Sequence, residues 1–213
     1  MILSKFIVFE GIDGAGTSTQ IEQLKKRPEA ESFLFTAEPT GGDTGKFLRR
    51  MLKGDVKLEP STAAYLFAAD RNEHIYGRIR SEGRQLESGI AEACESGSIV
   101  VSDRYLFSSL AYQGISCPVG LPHMLNEHFP LPRLLFYFDI DPASSLARIT
   151  GRETKEIYEE EGFLRQVTEG YKDAISFLSR KEPEMKVVWL DATRSVTELA
   201  AEIWKEISDC GLL

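Results

Sequence analysis

The segment F-I-V-F-E-G-I-D-G-A-G-T-S-T, from Phe6 to Thr19, decides the fold of this 213-residue chain. Phe6, Ile7, Val8 and Phe9 form an apolar, partly β-branched run, the pattern of a buried strand. Gly11, Gly14 and Gly16 then mark a turn, and Ser18-Thr19-Gln20 opens a helix that runs through Leu24. Gly11 and Gly16 have the spacing of the phosphate-binding pattern G-x-x-x-x-G-K-S/T. In such a loop, backbone N–H groups curl around a phosphate and the following helix adds a favourable dipole. The candidate nucleotide-binding residues are therefore Gly11, Ile12, Asp13, Gly14, Ala15, Gly16, Thr17, Ser18 and Thr19, with the Ser18 hydroxyl a candidate ligand for Mg2+. Thr17 stands where the pattern has lysine, so the loop lacks the cation that spans the β- and γ-phosphates.

Working outward, the composition is that of one soluble domain long enough to bury a sizeable core. A net charge of −8 and a pI near 5.1 argue against a nucleic-acid-binding surface. No apolar run approaches a membrane span, and Met1–Lys5 leads straight into the first strand, leaving no room for a signal peptide. Cys94, Cys117 and Cys210 are odd in number and lack metal-ligand spacing; they read as reduced thiols, which places the chain in the cytoplasm.

Strands and helices alternate. Further strands are expected at Phe33–Thr36, Ile99–Val101, Leu134–Asp139 and Val187–Leu190. Helices are expected at Thr44–Leu52, Ala143–Thr150, Leu164–Ser179 and Val196–Ser208, with one or two long helices over Ser61–Cys94. This predicts an α/β fold, a parallel sheet covered by helices on both faces, with ligands at the carboxyl ends of the strands. Glu10-Gly11, Glu38-Pro39, Asp103-Arg104 and Asp139 follow the strands and gather on that edge. There Arg104 is suited to grip a phosphate bidentately, while Asp103 can organise Mg2+ water or the arginine itself. The plainer reading of that pair is a structural ion pair at a strand end. Phe67 and Arg71, four apart on a predicted helix, share a face where a ring can stack on a base and a guanidinium can bond its edge.

Several of these segments together resemble the thymidylate kinases, which phosphorylate dTMP with ATP and Mg2+. The matching stretches are Phe6–Gln20, E-P-T-G-G-D-T-G-K-F-L-R from Glu38, L-F-A-A-D-R-N-E-H from Leu66 and D-R-Y-L-F-S-S-L-A-Y-Q-G from Asp103. The shorter D-I-D-P-A-S-S-L-A-R from Asp139 and L-D-A-T from Leu190 also fit, so the resemblance covers roughly the whole chain in order. It implies a three-layer phosphate-loop kinase fold around a five-stranded parallel sheet, one domain over 1–213, a lid near 148–162 and a homodimer. It also implies residue roles. Asp13 would lie near the sugar 3′-hydroxyl and acceptor phosphate. Arg49 and Arg104 would bind the monophosphate, with Glu38 close by. Phe67 would stack on thymine and Arg71 bond its edge. Ser109 and Gln113 would contact the base, and Tyr112 would exclude a 2′-hydroxyl. Arg148 and Arg152 would bring charge from the lid, and Asp103 would join Ser18 at the metal. Ala192-Thr193-Arg194 is a candidate adenine contact.

Three positions depart from the resemblance. Beside Thr17, Ala37 stands where many members have an arginine, and Ile157 replaces the arginine of an E-R-Y-E-like lid segment. Three readings follow: a dTMP kinase, a kinase of another nucleoside monophosphate, or a nucleotide-binding protein without turnover, which the lost cations favour.

Overall fold

The computed structural model describes residues 1–77, 80–81, 84–85, 88–149, 157–158 and 160–213, with the backbone alone at 80, 81, 84 and 85. The elements run β1 (Ile2–Gly11), α1 (Thr17–Lys25), β2 (Leu34–Ala37), α2 (Asp43–Leu52), α3 (Pro60–Tyr76), β3 (Arg80–Ser81), β4 (Arg84–Gln85), α4 (Ile90–Glu95), β5 (Val100–Asp103), α5 (Leu106–Ser116), α6 (Leu121–Asn126), β6 (Leu131–Asp139), α7 (Pro142–Ile149), α8 (Glu161–Lys181), β7 (Lys186–Asp191) and α9 (Val196–Asp209).

Five strands form one parallel sheet in the order β2-β5-β1-β6-β7, and β3 and β4 form a separate antiparallel pair. β1 lies at the centre, which explains why Phe6, Ile7, Val8 and Phe9 are all fully buried. Phe9 packs on Phe136 and Phe138 of β6 at 5.1 and 5.7 Å between ring centroids. Helices flank the sheet, with α1 packed on α9, and α5 packed on α8 and α3.

Register fixes the working edge. Phe9 pairs with Asp103 and Gly11 with Phe138, so the ends of β1, β5 and β6 come level. The chain leaves β1 there through the glycine loop, and Gly16 (φ 100°) caps α1 in the left-handed region that suits glycine. No side chain caps α1, so its first N–H groups have no side-chain acceptor at this edge of the sheet.

The expected strands and most helices appear within a few residues of their predicted ends. The stretch Ser61–Cys94 is different: α3 stops at Tyr76 and α4 is six residues long, with the β3–β4 pair between them. Gly77 ends α3, and Gly89 opens α4 so close to Ile75 O that a Cβ would lie 2.2 Å from it. Periodicity missed this break because the apolar pattern resumes across it. α5 and α6 were also not foreseen as helices; the polar D-R-Y segment masks the start of α5.

Candidate active site

Two clefts open at the carboxyl edge of the sheet. The first, of about 510 Å3, is lined by residues 12–20 of the glycine loop and α1, with Arg148, Ile149, Ala192, Arg194, Val196 and Leu199 opposite. The second, of about 380 Å3, is lined by Glu38, Arg49, Phe67, Arg71, Ser109, Tyr112 and Gln113, together with Leu52, Lys53 and Tyr158. Asp13, Ser18, Asp103 and Arg104 line both. The clefts therefore meet at one wall of two carboxylates, a hydroxyl and a guanidinium.

The wall is built by short local contacts. Ser18 Oγ donates to Asp103 Oδ2 at 2.7 Å, an oxygen pair suited to a hard cation such as Mg2+. Arg104 donates through Nη2 to Asp13 and through Nη1 to Ser108 Oγ (3.1 Å) and Tyr171 Oη (3.2 Å). Its backbone has φ 73°, unusual for a residue with a Cβ, and its N–H donates to Phe9 O of β1 at 2.9 Å. Burial works against its charge, but Asp13, helped by Tyr112, Tyr171 and Glu10, holds its pKa well above the ordinary arginine value.

The glycine loop packs closely on α7. A Cβ on Gly14 (φ +81°) would lie 2.4 Å from Ser145 O, so the backbone there reaches a position that no larger residue can occupy. Gly11 lies behind the loop instead of on the cleft, packed on Ala15 and Phe138. Arg148 donates to Ala192 O at 2.7 Å, joining α7 to the loop after β7 at the far side of the same cleft. Arg152, with 150–151, 153–156 and Glu159 of the segment expected to form a lid, lies outside the described residues.

The second cleft is shaped by a buried polar chain. Arg71 donates to Glu38 Oε2 through Nε (3.0 Å) and Nη2 (2.6 Å), to Ser109 Oγ (3.0 Å), and through Nη1 to Asn126 Oδ1. Glu38 Oε1 is 3.0 Å from His74 Nδ1, whose Nε2 is 2.6 Å from Thr36 Oγ1. Burial opposes the charge on Glu38, but Arg71 and His74 outweigh it and hold the carboxyl below its usual range. Asp70 accepts from Thr40 N and Oγ1, both at 2.7 Å, and so ties the loop after Glu38 to α3.

Among the described residues, two buried side-chain atoms have no hydrogen-bond partner: Gln20 Oε1, on the first cleft, and Tyr112 Oη, on the second.

A family-level match settles what kind of molecule carries these clefts: residues 9–203 fit the description "Thymidylate kinase". The chain belongs to the thymidylate kinase family. It is 40% identical over 197 residues to a Treponema pallidum protein whose name assigns it provisionally to the thymidylate kinases, covering 92% of this chain and 90% of that one. It is 37% identical over 210 residues to the probable thymidylate kinase of Methanococcus maripaludis strain C7, covering 97% and 96%. It is 36% identical over 217 residues to the thymidylate kinase of Symbiobacterium thermophilum, covering 97% and 94%.

Within this thymidylate kinase fold, the sequence reading named many residues on the clefts but not Leu52, Lys53, Tyr105, Ser108 or Tyr158 on the second, and it missed the support around them. Glu10, Ser108, Tyr171, Thr36, His74 and Asn126 hold Arg104, Glu38 and Arg71 in place. A carboxylate at the end of a fully apolar strand was the available signal for Glu10. The cation-poor positions also have a physical outcome. Ala37 lies between the second cleft and an annex of about 290 Å3, which shares Ser18, Ala37, Arg49 and Asp103 with it. Ile157 is half exposed and its N–H donates to Leu52 O at 3.1 Å.

Proposed function

We propose that this chain is a dTMP kinase, with ATP in the first cleft and dTMP in the second, making dTDP and ADP. The observation that carries the reading is the wall shared by both clefts, because direct transfer needs donor and acceptor phosphates to meet at one charged surface. An oxygen of the dTMP phosphate attacks the γ-phosphorus of ATP, and the bond to the β-phosphate oxygen breaks. No covalent enzyme intermediate is needed. Arg104 and Arg49 hold the acceptor phosphate, Arg148 and the lid residue Arg152 neutralise charge from the donor side, and Asp13 orients Arg104 and the sugar. Phe67 stacks on the base while Arg71, Ser109 and Gln113 read its edge, and Tyr112 excludes a 2′-hydroxyl. Ser18 and Asp103 would hold Mg2+, which would supply charge neutralisation at the donor phosphates. Ala192 and Arg194 flank the place for adenine.

We further propose that the chain works as a single domain, in the cytoplasm, as a homodimer. Supporting the dimer, the exposed face of α3 carries Tyr65 and Tyr76, both about half exposed, among Thr62, Ala69, Asn72 and Glu73. Light scattering on the purified protein tests it: a monomer at micromolar concentration overturns the dimer. Supporting the cytoplasm, its three cysteines are unpaired and its substrates are nucleotides. No helix among the described residues is long and apolar enough to cross a membrane.

The test of function is single-turnover phosphorylation by excess enzyme with ATP and Mg2+ across dTMP, dUMP, dCMP and dGMP, against Arg104→Ala. The expected result is fastest product from dTMP and a loss of about 100-fold or more in the variant. Binding of both nucleotides without product would overturn the kinase reading. Faster reaction with another acceptor would overturn the choice of dTMP.

A further inference from the structure

Tyr171 of α8 is fully buried behind the shared wall, far from solvent and outside both clefts. Its hydroxyl donates to Glu10 Oε2 at 2.9 Å, lies 2.8 Å from Ser108 Oγ, and accepts from Arg104 Nη1 at 3.2 Å. Burial pushes the phenol pKa well up, so the hydroxyl keeps the proton it gives to Glu10. Glu10 in turn accepts from Tyr105 N (2.8 Å), Ser108 N (3.2 Å) and Ser108 Oγ (2.7 Å) at the start of α5. Arg104 therefore rests on two hydroxyls, both anchored to one carboxylate at the end of the central strand.

The same side chain reaches toward the lid. The Tyr171 ring meets Tyr112 edge-on, with centroids 6.2 Å apart. Tyr112 packs on Tyr158 (5.5 Å) and Phe163 (6.2 Å), and those two stack at 5.1 Å and 9°. Tyr158 lies in the lid segment, while Phe163 and Tyr171 belong to α8, which follows it. Tyr158 and α8 are thus joined to the Arg104 guanidinium through a continuous path of aromatic rings and hydroxyls.

We infer that Tyr171 is a positioning residue: its hydroxyl sets the Arg104 guanidinium against the shared wall and ties that guanidinium to the helix entered from the lid. The inference rests on the reading of Arg104 as a phosphate ligand. An arginine held at positive φ depends on its surroundings to stay there, and loss of one Nη1 acceptor frees the group to rotate. Misplacement of about 1 Å at a transfer site lowers rate up to about 100-fold.

The experiment compares Tyr171→Phe, which keeps the ring, in wild-type and Arg104→Ala backgrounds, by single-turnover transfer from labelled ATP to dTMP. In the wild type, a loss of about 10-fold in the transfer rate is expected, with ATP binding unchanged. In the Arg104→Ala background no further loss is expected, because the hydroxyl has no guanidinium left to hold. An unchanged rate for Tyr171→Phe, or losses that multiply across the two backgrounds, overturns the inference. Should Arg104→Ala itself transfer normally, the Arg104 reading fails instead. Ser108→Ala removes the other Nη1 partner and should repeat the pattern, which keeps the test decisive if Tyr171→Phe melts below the assay temperature.

Discussion

Arg71 and Glu38 form an ion pair sealed from solvent, with side chains 1% and 5% exposed and Nη2 2.6 Å from Oε2. Two elements meet in it: α3 supplies the guanidinium and the segment after β2 supplies the carboxylate. Burying two charges gives little net stability, but removing one partner leaves the other uncompensated. Glu38→Gln should therefore destabilise the fold by about 3–5 kcal/mol, read from urea unfolding at neutral pH. It should also weaken dTMP binding, since Arg71 lines the second cleft, proposed above to take dTMP. Because the folded Glu38 pKa is depressed, its stabilising contribution exists above the unfolded value near 4.5 and fades as pH falls. The variant should lack that part of the acid-side loss.

Glu10 gives the opposite sign. Burial raises its pKa to about 7 against Arg104 and the hydrogen bonds of Ser108, Tyr171 and Tyr105, which lower it. Between about 4.5 and 7 the folded protein holds a proton that the unfolded chain has released, so stability falls as pH rises through that window. A shift of this size corresponds to at most about 3 kcal/mol. Melting curves from pH 5 to 8 should show the fall in the wild type and a flatter profile in Glu10→Gln. Identical profiles would show that Glu10 does not titrate there.

Two of the three cation-poor positions can be refilled. Thr17→Lys restores a charge on the loop, and Ala37→Arg places one at the entrance to the annex beside Asp103. Each should raise the single-turnover rate, by about 10-fold or more, since one preorganised donor is worth about 100- to 1,000-fold elsewhere. A lower rate for Thr17→Lys would mean that another cation already fills the lysine's place.

Gly14→Ala should abolish ATP binding and cost about 1–3 kcal/mol of stability, because the left-handed backbone and the Ser145 carbonyl both reject a methyl group. Gly41→Ala, where a Cβ meets nothing within 4 Å, is the matched control for ATP binding and stability. Calorimetric titration with ATP and thermal melting separate the two effects.

Much of this was legible in the sequence because the relevant residues act locally. The run Phe6–Phe9 and the glycine spacing follow from neighbouring residues, and so did the placement of Phe67 beside Arg71. The support behind the site was not legible. Glu10 and Tyr171 are 161 residues apart and meet only when β1 and α8 pack, and a buried tyrosine reads in sequence like any core aromatic. Thr36, Glu38 and His74 likewise form a chain only once β2 and α3 are adjacent. Helix periodicity misled over Ser61–Cys94 because Gly77 and Gly89 act through backbone crowding, which an apolar pattern does not encode.

The inverted character of α3 has a further consequence. Its inner side carries Asp70, Arg71 and His74 among Ala63, Ala64 and Ile75, while its outer side offers aromatic rings to solvent. A helix of this kind gains less from its own core than its composition promises, and a neighbouring copy on the outer stripe would supply the difference. Phe67 and Arg71, proposed above to read the base, ride on that helix. Dilution should then loosen the grip on dTMP, so that specific activity falls with enzyme concentration although no residue of the stripe touches substrate.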